Sequence, residues 1–548
     1  MSLAEKICRR FAALKTEHAK WSGIWQDCAR YTLPNSAPLS VFSVKTRGGA
    51  KRQPIDTTGT TCLTKLASWL FSSTIYQGEQ WFDLKAVKRG ADGTAEDIVD
   101  PELDKIMQSA ARATLECIAN SNCVPVYQRF LRGYCGFGTG AFYSEFNEDD
   151  ELVCRQWNVP EGICIAENSK GVVDTVFRAF QYTARQAVQE FGEENVSEDI
   201  RKAAADEREQ EKRFDFIHAV YPRKRRDARK ANPENKPYAS VYVEEKAKKV
   251  VLEGGYDTMP YQTPRFYDTG EIYGRSPAMS AIPALRSINI AIWSWLKNVE
   301  GSAKPIVWAP PEVADKMSLE FGTINPWNSA MGEVKIWTPA GDVKTPLDFA
   351  EQKKREVEAI FYNDVFQYLE DRKNMTATEA QLRYDEMIQG ISPVLANLHS
   401  EFFSPFITRV AKELFARGKI TIPRAYLDKK RGMPEFEVVY NTRLDTKLKG
   451  VLNANIVNFV RMVGELVVAI SQAPMAGAYL DMDKIIKLYA RNNNVSNDAL
   501  KDDDAIAEAL EALNRQQQAQ QLRGLLDKIN LQKTPERGSV QDTMINGL

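Results

Sequence analysis

Histidine is almost missing from this chain, with three residues in 548. General acid–base chemistry therefore has few candidates, and a histidine-based metal site has fewer. Net charge is nearly absent too: 72 Lys and Arg stand against 73 Asp and Glu, a formal −1. Such a chain sets up no global basic field, so any contact with DNA or RNA must be local. Cysteine is absent after residue 164, and none of the eight (Cys8, Cys28, Cys62, Cys117, Cys123, Cys135, Cys154, Cys164) forms a CxxC pair. With only His18 in the same region, no zinc site is expected; they read as buried, reduced thiols. Long hydrophobic runs are lacking as well. The most apolar, Ile456–Ile470, is interrupted by Asn458, Arg461 and Glu465 and is too short and polar to span a bilayer. The opening MSLAEKICRRFAALKTEHAKW is charged throughout and has no signal-peptide core. We expect a soluble protein with no cofactor and no membrane partner.

What is present is ordinary for a large globular chain: 43% hydrophobic and 26% charged residues, enough for several domains or one elaborated architecture. Residues 2–30 read as an amphipathic helix pair stopped at Leu33-Pro34. A helix opens at Asp56-Thr57-Thr58-Gly59, and Trp81-Phe82-Asp83-Leu84 enters a short strand. Helices are expected over 101–119 and 124–134. The glycine-rich Gly136–Gly140 stretch follows a helix and enters a strand, the reverse of a phosphate-cradling loop, so it reads as a tight connection. Runs 153–159, 162–166 and 172–182 alternate like an antiparallel sheet. Helices 183–191 and 197–213 follow, then strands over 214–221 and 238–252. Between these strands lies a basic loop, Arg223-Lys224-Arg225-Arg226. It is either a solvated hairpin tip or a phosphate or partner contact.

Ser276-Pro277 caps a helix that runs to about Ala303, with Pro283 kinking or restarting it. Ile282, Leu285, Ile288, Ile292 and Trp295 mark one face, but Ile290, Trp293 and Leu296 lie off it, so this helix needs neighbours on several sides. Residues 304–346 form a compact Pro- and Trp-rich module with short strands at 306–308 and 334–337. Its tryptophans, Trp308, Trp327 and Trp337, serve either as core or as a partner-contact surface. A charged helix from Pro346 then meets a polar break, Glu370-Asp371-Arg372-Lys373-Asn374-Met375. Thr376 and Glu379 have capping-box spacing for a long helix to about Arg417, bent at Pro393 and Pro405. Ile420–Ile422 and Phe436–Tyr440 read as a strand pair, and 446–528 as nearly all helical. The fold class is α+β and mostly helical.

Several of these landmarks, in this order, carry a resemblance. Asp56-Thr57-Thr58 leads to Leu66-Ala67-Ser68 and Trp81-Phe82; Pro260 and Arg265-Phe266 precede Tyr273-Gly274-Arg275-Ser276-Pro277-Ala278-Met279; Met375-Thr376-Ala377-Thr378-Glu379 opens the long helix; Asp481-Met482-Asp483 sits in the helical tail. The chain resembles the portal, or head-to-tail connector, proteins of short-tailed bacteriophages over about residues 1–525. The resemblance implies a non-enzymatic ring, dodecameric in the virion, at one capsid vertex, through which double-stranded DNA is packaged and ejected. It places a wing at 1–272 and 376–445, stem helices at 273–303 and 347–370, and a clip at 304–346. It further places a crown at 446–528, a mobile tail at 529–548, and a tunnel loop of Asp371, Arg372, Lys373, Asn374 and Met375 facing the channel. The implied partners are DNA, the terminase large subunit, capsid and scaffolding proteins, and a tail adaptor, in the virion and, during assembly, the host cytoplasm. Arg372 and Lys373 either meet DNA phosphates or pair with Glu370 and Asp371. ATP hydrolysis would belong to the terminase, since this chain has no GxxxxGK[ST]. Two other classes stand beside this reading. One is a wing-domain nucleotidyl transferase or hydrolase using Asp56, Asp83, Glu145 or Asp149. The other is an unrelated helical scaffold or nucleic-acid-binding protein.

Overall fold

In a computed structural model the chain divides into two units, Met1–Leu444 and Asp445–Leu548. The structure describes residues 2–34, 54–75, 80–89, 95–98, 100–224, 226, 232–303, 306–308, 318, 335–337, 345–363, 390–423 and 435–440, all in the first unit, apart from scattered single positions within these spans. The helical reading of 446–528, the capping box at Thr376, and the loop 371–375 lie outside these residues.

The first helix, α1, is continuous from Leu3 to Thr32. Its start is fixed by a capping box: Glu5 N donates to Ser2 Oγ at 3.2 Å and Ser2 N to Glu5 Oε2 at 2.9 Å. The expected helix pair is thus one helix. Nothing between its two apolar clusters is a breaker, and a Cβ on Gly23 would meet only open space. α2 (Thr58–Thr74), α3 (Pro101–Asn120) and α4 (Cys123–Phe137) follow, with strands β1 (Phe82–Arg89) and β2 (Ala95–Asp97) between α2 and α3. Asp100 caps α3 by accepting from Glu102 N at 3.0 Å, with Pro101 at the first helical position.

The sheets come next: β3 (Gly140–Phe146), β4 (Leu152–Asn158), β5 (Ile163–Glu167), β6 (Val173–Thr183), β7 (Arg213–Pro222), β8 (Tyr238–Glu244), β9 (Lys249–Tyr256) and β10 (Tyr261–Gln262), with α5 (Ala184–Phe191) and α6 (Glu198–Ala205) between β6 and β7. Strands β5 to β9 form one antiparallel sheet in sequence order, while β4 pairs with β3 in a separate sheet of order β10-β3-β4. The three alternating runs after residue 150 therefore belong to two sheets. Alternation shows which residues are buried but not which strand they pair with. The span 238–252 is likewise a hairpin, turned at Lys248 with φ 49°. The helix expected to reach Arg213 stops at Ala205, because Arg213 already pairs with Thr183 in the sheet.

Strand periodicity gives the five-stranded sheet two apolar faces. Phe177, Ala179, Ile217, Ala219, Val241 and Val243 pack beneath Ile7 and Phe11 of α1. Phe180, Phe216 and Val251 pack under Ala187 and Phe191 of α5 and Ile200 of α6. A second core gathers around α4. Phe130 lies 5.8 Å from Tyr134, 5.6 Å from Phe142 and 4.9 Å from Phe402, ring centre to ring centre. Gly138 ends α4 at φ 78°, and a Cβ on Gly140 would sit 2.2 Å from Phe130. The glycine run is there so that a helix can turn into a strand against an aromatic core.

The remaining elements are α7 (Pro277–Ala303), β11 (Ile306–Trp308), β12 (Lys335–Trp337), α8 (Thr345–Ile360), α9 (Ser404–Ala416) and β13 (Phe436–Tyr440). α7 carries Pro283 inside one uninterrupted helix. α8 ends at Ile360, so the charged helix expected to reach 370 is interrupted ten residues early. Residues 390–398 are helical and run into α9 through a π-turn, His399–Phe403, just before Pro405. The extra residue per turn accommodates a proline that cannot supply its N–H. β13 pairs with β1, Phe82 opposite Tyr440, and residues 420–422 form no strand. The expected strand pair was two runs close in sequence; the partner chosen lies far upstream.

Candidate functional site

The feature that stands apart from the two cores is the hairpin of α7 and α8, closed by the antiparallel ribbon β11–β12, with Ile306 opposite Trp337 and Trp308 opposite Lys335. Its root is the Tyr273–Pro277 segment. Tyr273 is buried; its hydroxyl accepts from Ile165 N at 3.3 Å, and its ring edge meets Trp25 at 5.2 Å. Gly274 N donates to Thr139 Oγ1 at 2.8 Å, and Tyr267 and Arg275 exchange both backbone hydrogen bonds at 3.0 Å. Arg275 lies over Trp21 at 4.7 Å and grips Glu271 at 2.8 and 3.1 Å. That hydrogen bond raises the arginine's pKa and lowers the carboxylate's. Ser276 is fully buried and welds two helices. Its Oγ donates to Gly136 O at 2.9 Å at the end of α4 and accepts from Met279 N at 3.2 Å at the start of α7.

Two further nodes fix the hairpin's approach. Arg265 is buried at the centre of a charge cluster, with Glu401 at 2.5 Å, Glu167 at 2.6 Å and Asp268 at 3.5 Å; its Nη2 also donates to Gly171 O at 3.1 Å. A buried guanidinium needs such partners for its donors. Asp56 ties α2 to both hairpin helices. Its carboxylate accepts from Thr58 N at 2.9 Å and pairs with Lys354 of α8 at 2.8 Å. The amides of Ile55 and Asp56 donate to Asn289 Oδ1 of α7 at 2.8 and 3.4 Å. Burial pushes the Asp56 carboxyl up, but its hydrogen bonds with Lys354 and Thr58 outweigh it, and the pKa is lowered. Arg286 of α7 pairs with Asp27 of α1 at 2.5 Å.

Beyond this root the hairpin changes character. Ala278, Ala281, Ile282, Leu285 and Ile288 are buried, whereas Ile290 is 67% exposed. Of the nine exposed large hydrophobic side chains among the described residues, Ile290, Val299, Trp308, Leu347 and Phe349 lie on the hairpin and ribbon. A sixth, Ile55, is tied to α7 through Asn289. Single exposed apolar residues are ordinary, but a concentration of this kind marks an interaction surface.

The other candidates are placed as follows. Trp308 is 68% exposed; Trp337 sits in β12; Trp327 lies outside the described residues, as do Asp371, Arg372, Lys373, Asn374 and Met375. In the basic loop, Arg223 is committed to the sheet, donating to Gly254 O at 2.7 Å and Glu253 at 3.3 Å. Lys224 and Arg226 are exposed and Arg225 lies outside the described residues. The carboxylates considered for catalysis do not gather. Asp56 is in its helix node, Asp83 accepts from Gln80, Glu145 accepts from Tyr143 at 2.5 Å, and Asp149 is in an exposed turn. His218 is buried between Tyr261 at 2.9 Å and Ser240 at 3.0 Å and stacked on Tyr242. His18 is buried with Val159 O at 3.0 Å. Among the described residues no group of three His, Cys, Asp or Glu could hold a metal ion, and no helix is long and apolar enough to cross a membrane.

The family model for the bacteriophage head to tail connecting protein matches residues 4–500. The chain belongs to that family. It is similar to a probable portal protein of Bordetella phage BPP-1, 26% identical with 99% of this chain and 96% of the relative covered. It is also similar to the portal protein of Salmonella phage epsilon15, 26% identical with 94% and 92% covered. The match runs through both cores and the hairpin alike, so the connector role belongs to the whole chain. That role is structural, and the enzyme and unrelated-scaffold readings are not favoured. The connector residues that sequence reasoning missed are Asn289, Lys354 and Glu401. Each is a polar residue on a helix, and only the folded chain shows that it faces a distant backbone amide or charge.

Proposed function

We propose that this connector works as a ring of twelve copies at one capsid vertex, with double-stranded DNA passing along its axis during packaging and ejection. In this reading 1–272 and 376–445 form the wing, 273–303 and 347–370 the stem, 304–346 the clip, 446–528 the crown and 529–548 the tail. The loop 371–375 faces the channel. The clip, with Trp308, Trp327 and Trp337, takes the terminase large subunit and then the tail adaptor. The wing meets capsid and scaffolding proteins, first in the host cytoplasm and then in the virion. The observation that carries the reading is the apolar surface concentrated on the hairpin, which neighbouring copies would cover. A near-neutral chain also suits a conduit, since phosphate neutralisation would hold a duplex that has to slide.

The test is assembly. Ile290→Glu places a charge on the most exposed apolar position of α7 and should leave the monomer's thermal unfolding unchanged. In sedimentation velocity and negative-stain images it should abolish or sharply reduce rings with an axial hole that the unmodified chain forms. Rings from the variant in undiminished yield would remove the hairpin from the subunit seam. A compact monomer from the unmodified chain, under conditions where capsid assembly proceeds, would count against the ring itself.

A further inference from the structure

The chain leaves α8 through a joint with two unfavourable features on adjacent residues. After Ile360, Phe361 N donates to Val357 O at 3.1 Å and Tyr362 N to Ala359 O at 3.0 Å, so the helix tightens and stops. Tyr362 then stands at φ 60°. Among the described residues the other two non-glycine residues in that region, Asp150 at φ 59° and Lys248 at φ 49°, occupy the β3–β4 and β8–β9 hairpin turns. Tyr362 caps the helix as Gly138 caps α4, but a bulky aromatic residue there carries a contact between Cβ and backbone that glycine avoids. The next residue, Asn363, is 1% exposed. Neither its amide oxygen nor its nitrogen has a nitrogen or oxygen partner among the described residues; the Cys62 thiol of α2 lies against it. A buried carboxamide whose oxygen is unpaired and whose nitrogen meets only a thiol disfavours the arrangement that buries it.

One specific contact opposes these costs. The hydroxyls of Tyr362 and Tyr267 are hydrogen-bonded at 2.7 Å. The helical stretch 390–398 leaves room for the ring, since a Cβ on Gly390 would come no closer than 3.9 Å to Tyr362.

We propose that Phe361–Asn363 is a two-state joint. In the second state Tyr362 takes a right-handed helical φ of about −63° and α8 continues through Asn363. The Tyr267–Tyr362 hydrogen bond opens, and the Asn363 carboxamide turns away from its unpaired site. The direction in which the chain leaves α8 differs between the states. A corner required only as a corner would be relieved by glycine at 362 and an apolar residue at 363. Keeping both costs on adjacent residues brings the bent and continuous states close in free energy, which is what a switch requires.

The joint is tested on the full-length monomer with 3-fluorotyrosine at position 362, so the result does not depend on ring assembly. The expected fluorine spectrum has two resonances, or one averaged resonance that moves in opposite senses in two variants. Tyr267→Phe removes the bond holding the bent state and should raise the second population at least fivefold. Asn363→Leu removes the unpaired amide from the bent state and should lower it at least fivefold. If Tyr267→Phe fails to fold, Asn363→Leu decides alone. A single resonance that neither substitution moves, or two whose ratio neither changes, would show a fixed corner and overturn the proposal.

Discussion

Single residues hold this connector together where charge or polarity is buried. Asp56 is one, because its folded pKa lies below the unfolded carboxylate value of about 3.9. Its pairing with Lys354 therefore stabilises the fold fully above that value and is lost as pH falls through the lower, folded one. Lys354 is partly exposed, so we expect Asp56→Asn to cost only about 1 kcal/mol at pH 7. The difference from the unmodified chain should shrink in urea titrations as pH falls through the lowered, folded pKa. His218 acts with the opposite chemistry but the same sign. Burial, and then the nearby Arg178 charge, put its pKa well below the ordinary histidine value, and burial lowers that of His18. The unfolded chain binds these protons first, so stability falls as pH drops below about 6.5, by up to ~1.4 kcal/mol per pH unit for each histidine. His218→Gln should flatten that acid limb while lowering stability at pH 8; an unchanged limb would mean His218 is not buried neutral.

At the scale of elements, the connector is organised by how helices are joined to what precedes them. Ser276 joins the end of α4 to the start of α7 from a fully buried position. Ser276→Ala removes the cap and leaves Gly136 O without that donor, a loss of about 2 kcal/mol. Chemical denaturation should show this as a lower midpoint with unchanged slope. The elements themselves were largely legible beforehand. Proline after Leu33, proline at 277 and the alternation of 172–182 are local signals acting within one turn or one strand. What the local signals missed were partners and interruptions: β13 on β1, β4 apart from β5, and the stop at Ile360. Each depends on residues tens to hundreds of positions away, such as Tyr267 reaching Tyr362.

For the whole molecule, the near-zero net charge and the apolar hairpin both suit the proposed ring, in which a duplex would be guided and not gripped. The Arg372 and Lys373 side chains, repeated around a ring, would be the local exception. Replacing both with alanine should leave ring yield unchanged and reduce the DNA packaged or retained per particle severalfold, measured by genome length in purified heads. Full-length genomes retained normally in the double variant would mean these residues pair with Glu370 and Asp371 and do not act on phosphate.

The sequence by itself determined the class and the role. Scarce histidine left few acid–base candidates. An ordered series of landmarks, from Asp56-Thr57-Thr58 to Met375-Thr376-Ala377-Thr378-Glu379, identified the connector family. These are properties of residue type and spacing, which survive without knowing any contact. Only the tertiary structure decided what the landmarks do. Asp56 is a three-helix node, Arg265 a buried charge hub on Glu401, and Gly140 the space that Phe130 fills. It also separated Arg223, held by the sheet, from the exposed Lys224 and Arg226 beside it. The physical reason is common to all four. A side chain's partner is fixed by the path of distant backbone, and nothing in the residue's own neighbourhood encodes that path.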